Sequence, residues 1–199
     1  MRLDQFLPEY DFSEYHSVKV KASPEIVYKA IKRVDMSDSR LIKGLLALRL
    51  LPYVFRPGKK PDFHSAMVLD DFIKMGFIKL ADFFPDEMIL GLAGQFWKPT
   101  VQLRAIPPDR FRHFSRPGLC KAVWNIQARP NGPAGSLLST TTRIHCQGAK
   151  ARVLFTCYWG VIRPFSGLIR MVLLRLIRQE AEKGVVGVGG GDSVTPVES

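Results

Sequence analysis

Acidic residues are scarce in this 199-residue chain: 18 Asp and Glu stand against 29 Lys and Arg, a net charge of +11. Cysteine is scarcer still. Cys120, Cys146 and Cys157 are odd in number, widely spaced and without a CxxC pair. That pattern argues against a zinc site and a disulfide framework, and it fits a reducing, cytoplasmic compartment. The four histidines, His16, His64, His113 and His145, show no HxxxH spacing, so no metal site is expected. No apolar run reaches the ~18 residues that a spanning helix needs. The opening MRLDQFLPEYDFSEYH has no apolar stretch of signal-peptide length. A GxSxG elbow is missing, so serine-hydrolase chemistry has no support. GVGGG, near the C-terminus, neither follows a strand nor opens a helix, and it fails the context test for a phosphate loop. No motif calls for a nucleotide or any other cofactor.

Hydrophobic residues make up 46% of the chain and charged residues 24%, which is ordinary for a globular domain. The basic excess is concentrated. Residues 98–130 hold seven basic side chains against Asp109, and residues 149–183 hold seven against Glu180 and Glu182. Such segments attract phosphates, anionic lipid or an acidic partner, or they simply form a solvated surface.

Periodicity divides the chain into elements. From Glu14 to Ala22 the residues alternate, with His16, Val18 and Val20 on one face, so a half-buried strand is expected. Ser23-Pro24 then starts a helix, with Ile26, Val27, Ala30, Ile31 and Val34 as its stripe. A second helix is expected over 39–51, a loop over 56–62, and a short helix from Ser65 to near Gly76. Residues 76–84 and 87–97 read as two strands joined by a turn at Pro85-Asp86, and 99–105 as a further short one. One or two helical turns are expected between Pro107 and Phe114. Lys121–Arg129 alternates most cleanly, and PNGPAG turns it into a partner strand, 136–146. In that partner Leu138, Thr140, Thr142 and Ile144 face the core, while Ser139, Thr141, Arg143 and His145 face away.

Phe155, Tyr158, Ile162, Phe165, Ile169, Val172, Leu173 and Leu176 recur at helical spacing, with Pro164 inside the run. Two readings stand for residues 150–160. One is a long helix kinked at the proline; the other is a strand followed by a helix from Pro164. The stripe continues across the proline, which favours the kinked helix. Residues 1–183 form one domain in this reading, and 184–199 a flexible glycine-rich tail.

The order of elements predicts an α+β helix-grip fold: a curved antiparallel sheet wrapped around a long C-terminal helix, with two short helices after the first strand. A strongly curled sheet leaves an apolar hollow beneath such a helix, and hollows of that kind take hydrophobic ligands. The stretches VKASPEIVYKAI (18–31), GFIKLADFFPDEMILGLAGQFW (76–97), LLSTTTRI (137–144) and FTCYWGVIRPFSGLIRMVLLRLI (155–177) resemble the helix-grip superfamily labelled SRPBCC. That superfamily includes START lipid-transfer domains, pollen-allergen-type carriers and aromatic polyketide cyclases. More narrowly the chain is similar to bacterial SRPBCC-type proteins of unassigned function, over about residues 10–183. Where that group often has a glutamate ahead of a Thr-Arg pair, this chain has Thr141, which weakens an acid–base role for that strand.

The resemblance implies binding or carriage of a hydrophobic small molecule or lipid, or a cyclase- or hydratase-type reaction in the same cavity. Inward direction nominates His16, Thr140, Thr142 and Tyr158 as polar orienting groups. Aromatic walls would come from Phe96, Trp97, Trp124, Phe155 and Trp159. Each of these side chains equally suits plain core packing. For an enzyme, His16 or Tyr158 would move the proton. Arg143 and Glu87, both on strands, are expected to pair, with capture of a ligand carboxylate by Arg143 as the second option. Arg163, Arg170, Arg175 and Arg178, beside Leu168, Met171 and Leu174, could touch an anionic membrane surface. Nucleic acid is disfavoured as a partner, because no aromatic residues interleave with these arginines.

Overall fold

In the computed structural model the described residues are 2–35, 73, 76–98 and 103–188. The helix expected over 39–51, the loop over 56–62 and nearly all of the helix from Ser65 fall outside them. Five strands form one antiparallel sheet: β1 (Phe12–Val20), β2 (Ile78–Phe83), β3 (Glu87–Gly94), β4 (Cys120–Pro130) and β5 (Ser136–Cys146). Helix α1 spans Pro24–Arg33, α2 is a single turn at Pro108–Phe111, and α3 spans Ala149–Val188.

The order across the sheet is β1-β5-β4-β3-β2. The chain starts at one edge, crosses to the other, and returns strand by strand until β5 pairs with β1. Helix α3 lies against the concave side, packed on β1, β5 and α1. This is the helix-grip, α+β arrangement expected from the element order. The strand expected over 99–105 is represented, among the described residues, by one bridge between Gly94 and Leu103.

Local chemistry explains the elements. Pro24 at the start of α1 needs no partner for its missing N–H, and Val27, Tyr28, Ala30 and Ile31 bury one stripe. The β4–β5 hairpin turns where Gly132 takes φ +84°, and the Asn131 amide donates to the Gly135 carbonyl at 2.8 Å. The register then places Trp124 opposite Thr142 and Ile126 opposite Thr140. Residues 150–160 are helical, so the strand alternative for them is overturned. Pro164 lies within α3, which continues past Lys183 to Val188.

Both faces of the sheet are covered. On the concave face, Val20, Met88, Leu90, Ile126, Ala128 and Leu138 pack against α1 and against Leu173, Leu174 and Ile177 of α3. On the convex face, Leu3 and Leu7 of the N-terminal segment and Phe111 of α2 bury Ile89, Ala93 and Val123. The expectation that Thr141 and Arg143 face away from the core is correct in direction, yet both are buried beneath this second layer. Arg143 Nη1 donates to Asp4 Oδ1 at 2.5 Å. Glu87 accepts instead from Asn125 Nδ2 at 2.5 Å and lies 4.0 Å from Arg2 Nε. The expected Arg143–Glu87 pair is therefore replaced by these partners. On β4, Glu87 stands opposite Gln127 and Arg143 opposite Val123, four residues apart along the strand, or about 13 Å.

Candidate functional site

Register assembles the floor of a cavity on the concave face. Glu14, Thr142, Trp124 and Leu90 form one cross-strand row, and Phe12, Ile144, Ala122 and Leu92 the next. Above them α3 supplies Phe155, Tyr158, Trp159, Ile162, Ser166, Ile169, Arg170 and Leu173, while Phe77 and Phe96 close the sides. The space between them, partly open to solvent, is about 220 Å³. A void survives because the centre of the floor is built from short side chains, Ala122 and Thr142. The bulkiest floor residue is also restrained: Trp124 Nε1 donates to Thr140 Oγ1 at 2.5 Å, and that hydroxyl donates to the Asn125 carbonyl at 2.7 Å.

The aromatic wall is internally braced. The Phe155 ring stacks on Trp159 at 5.7 Å and meets Phe96 edge-on at 6.2 Å, and Phe77 meets Trp124 at 6.2 Å. These separations lie in the favourable range for aromatic pairs. Thr142 is the polar exception on the floor. It is 5% exposed, and its Oγ1 is buried without a hydrogen-bond partner.

Beside the cavity, an ion pair joins β1 to α3. Arg170 Nη1 donates to Glu14 Oε2 in a very close contact, and Glu14 Oε1 lies 3.0 Å from His16 Nε2. The Glu14 and Arg170 side chains are 9% and 13% exposed. Burial pulls the Arg170 guanidinium below its ordinary pKa, and the Glu14 carboxylate opposes that shift. Gly167 permits the close approach: a Cβ there would stand 2.8 Å from Glu14 Oε1. On the far side of this pair lies an open depression lined by Glu14, His16, Arg163, Pro164, Gly167, Leu168 and Met171. The pair thus stands between the inner cavity and the surface.

Of the residues nominated from sequence, Phe96, Trp124, Thr142, Phe155, Tyr158 and Trp159 share the cavity wall. Three do not line it. His16 faces the outer depression, Trp97 packs at the margin of the Phe96–Phe155 cluster, and Thr140 is spent holding the Trp124 indole. His16 and Tyr158, the two proton-transfer candidates, are therefore not brought together. Glu14, Phe77, Ser166 and Arg170 are the wall and edge residues that periodicity did not single out. Glu14 shares the parity of His16 on β1, which was the available signal. Phe165, expected in the stripe, is instead exposed, and Ser166 takes the inward position.

The basic helix face is also smaller than expected. Arg170 is engaged with Glu14 and Leu174 is fully buried, whereas Arg163, Arg175 and Leu168 are exposed. Among the described residues no group of three His, Cys, Asp or Glu is placed to hold a metal, and no helix is long and apolar enough to cross a membrane.

No family model matches the chain, and no curated protein matches it. Solved structures do show likeness. A conserved protein from Geobacillus kaustophilus aligns at 14% identity and TM-score 0.36, covering 88% of this chain and 96% of its own. The Zhui aromatase/cyclase from a Streptomyces species aligns at 14% identity and TM-score 0.33, covering 90% and 98%. Norcoclaurine synthase from Thalictrum flavum aligns at 12% identity and TM-score 0.38, covering 88% and 86%.

Proposed function

We propose that this chain is an SRPBCC-type protein that binds or carries a compact hydrophobic molecule between its sheet and α3. The observation that carries the reading is the partly open, aromatic-walled cavity of about 220 Å³. Drug-sized ligands occupy roughly 300–1,000 Å³, and a dry void of roughly 150 Å³ admits benzene. The space therefore suits one or two rings better than a bulky lipid. A cyclase- or hydratase-type reaction in the same cavity would lean on Tyr158, since His16 lies outside it.

The wall contains Trp124 and Trp159, so occupancy is readable from intrinsic fluorescence. Titration with an apolar bicyclic compound should change that emission saturably, and native mass spectrometry of freshly purified protein should show a bound small molecule. Filling the space with Ala122→Phe should abolish uptake while the chain stays folded. An unchanged spectrum with every apolar probe, together with a ligand-free mass, would reject the reading.

A further inference from the structure

The floor of the cavity holds one polar atom with nothing to bond. Thr142 Oγ1 is buried, partnerless and central, opposite Trp124 in register. Three other buried side-chain atoms among the described residues lack hydrogen-bond partners, on Arg2, Tyr28 and Glu87, and none of them lines this cavity. A buried hydroxyl left unpaired carries its full desolvation cost, and native structures rarely retain one without a use. A ligand group that exchanges a hydrogen bond with it recovers that cost.

Charge sets the second requirement. Among the described lining residues Arg170 is the charged side chain, and Glu14, at the end of the Thr142 row, meets the cavity only through its pair with Arg170. Its guanidinium is already neutralised by Glu14. An anionic ligand would have to draw Arg170 from Glu14, stranding a largely buried carboxylate on His16, or remain unpaired in an apolar space. A cationic ligand meets the same closed pair. Either outcome places an uncompensated charge out of water.

Resting on the cavity reading above, we infer that the ligand is a neutral one- or two-ring molecule bearing a hydroxyl or carbonyl aimed at Thr142, and that carboxylate analogues are refused. Thr142 is a specificity-determining residue in this assignment. The Glu14–Arg170 pair is a neutral border and makes no contact with the ligand's polar group.

Three probes of similar shape test the inference on the full chain: 2-naphthol, 2-methylnaphthalene and 2-naphthoate, each titrated by tryptophan fluorescence and calorimetry. The wild-type chain should hold 2-naphthol about tenfold more tightly than 2-methylnaphthalene, and 2-naphthoate least of all. Thr142→Val should erase the naphthol preference and leave methylnaphthalene affinity unchanged; Thr142→Ser should keep it. Valine matches threonine in shape, and melting temperatures at or above wild type would confirm that the variant is folded. Equal affinity for naphthol and methylnaphthalene overturns the inference. So does a preference that survives Thr142→Val, or naphthoate binding as tightly as naphthol. Absence of binding by all three probes is the separate failure of the cavity reading itself, and it removes the inference with it.

Discussion

The Glu14–Arg170 pair offers the sharpest test of the energetics, because its two partners come from the first strand and the last helix. With 9% and 13% of their side chains exposed, both ions are largely out of water. Taking one partner away leaves the other uncompensated, and breaking a buried pair in this way costs about 3–5 kcal/mol. In a domain of this size each kcal/mol lowers the melting temperature by about 2–4 °C. Glu14→Met and Arg170→Met should therefore each melt about 6–20 °C below wild type.

The two losses should be unequal. After Arg170→Met, the Glu14 carboxylate keeps His16 at 3.0 Å as a neighbour, and the cost falls at the low end. After Glu14→Met, the guanidinium faces an apolar cavity alone, and the cost falls at the high end. The double variant removes both charges and fills the seam with thioethers, so it should return to within about 1–2 kcal/mol of wild type. Urea and thermal melts of the four proteins give the coupling energy directly, provided that each unfolds in one transition. Additive losses, with the double variant as unstable as both singles combined, would refute the claim that these charges are desolvated together.

Two helix glycines separate space from conformation. Gly167→Ala should be net destabilising by about 0.5–2 kcal/mol: its Cβ would press on Glu14 Oε1 at 2.8 Å, and pushing that carboxylate off its Arg170 partner outweighs the gain in helix propensity. Gly160→Ala, with nothing within 4 Å, should gain about 0.5–1 kcal/mol from helix propensity; equal effects in denaturation melts would contradict the close approach at Gly167. Thiol labelling should divide the cysteines. Exposed Cys157 should react with iodoacetamide in the folded protein, whereas Cys120 and Cys146 should react only in denaturant. Cys120 Sγ donates to Cys146 Sγ, and that contact together with burial pushes the Cys120 thiol far above its ordinary pKa. Rapid native labelling of all three would count against the packing of this hairpin end.

The strands and the long helix were legible because their signals are local. Alternation from Lys121 to Arg129 and from Ser136 to Cys146 gave β4 and β5 to within one residue at each end. The turn between them needs only the composition of PNGPAG. What escaped depends on residues far apart in the chain. The cysteines looked widely spaced, yet the hairpin register sets Cys120 directly against Cys146. Arg143 looked solvent-facing because its cover, the N-terminal segment holding Leu3, Asp4 and Leu7, carries no periodic pattern. Arg170 looked like one more surface arginine; nothing near it in sequence shows that Glu14 waits 156 residues away.

The cavity itself explains why the helix stripe was misread at its middle. A helix that merely completes a core shows apolar residues at every inward step. Here the inward steps run Phe155, Tyr158, Ile162, Ser166, Ile169, Arg170 and Leu173, and periodicity preferred the apolar Phe165 to its polar neighbour. Opposite these positions the floor places Ala122 and Thr142, too short to reach across. Small and polar side chains thus coincide on the two facing surfaces at the same level. One such residue would be a tolerated defect, repaired by a neighbour moving in, because interiors close up around missing volume. Several aligned across an interface, with an orphaned hydroxyl among them and braced aromatic rings around them, keep the gap open at a cost in stability. Real sequences break the rules of core packing mainly at functional sites, and the proposed binding role requires such a break here.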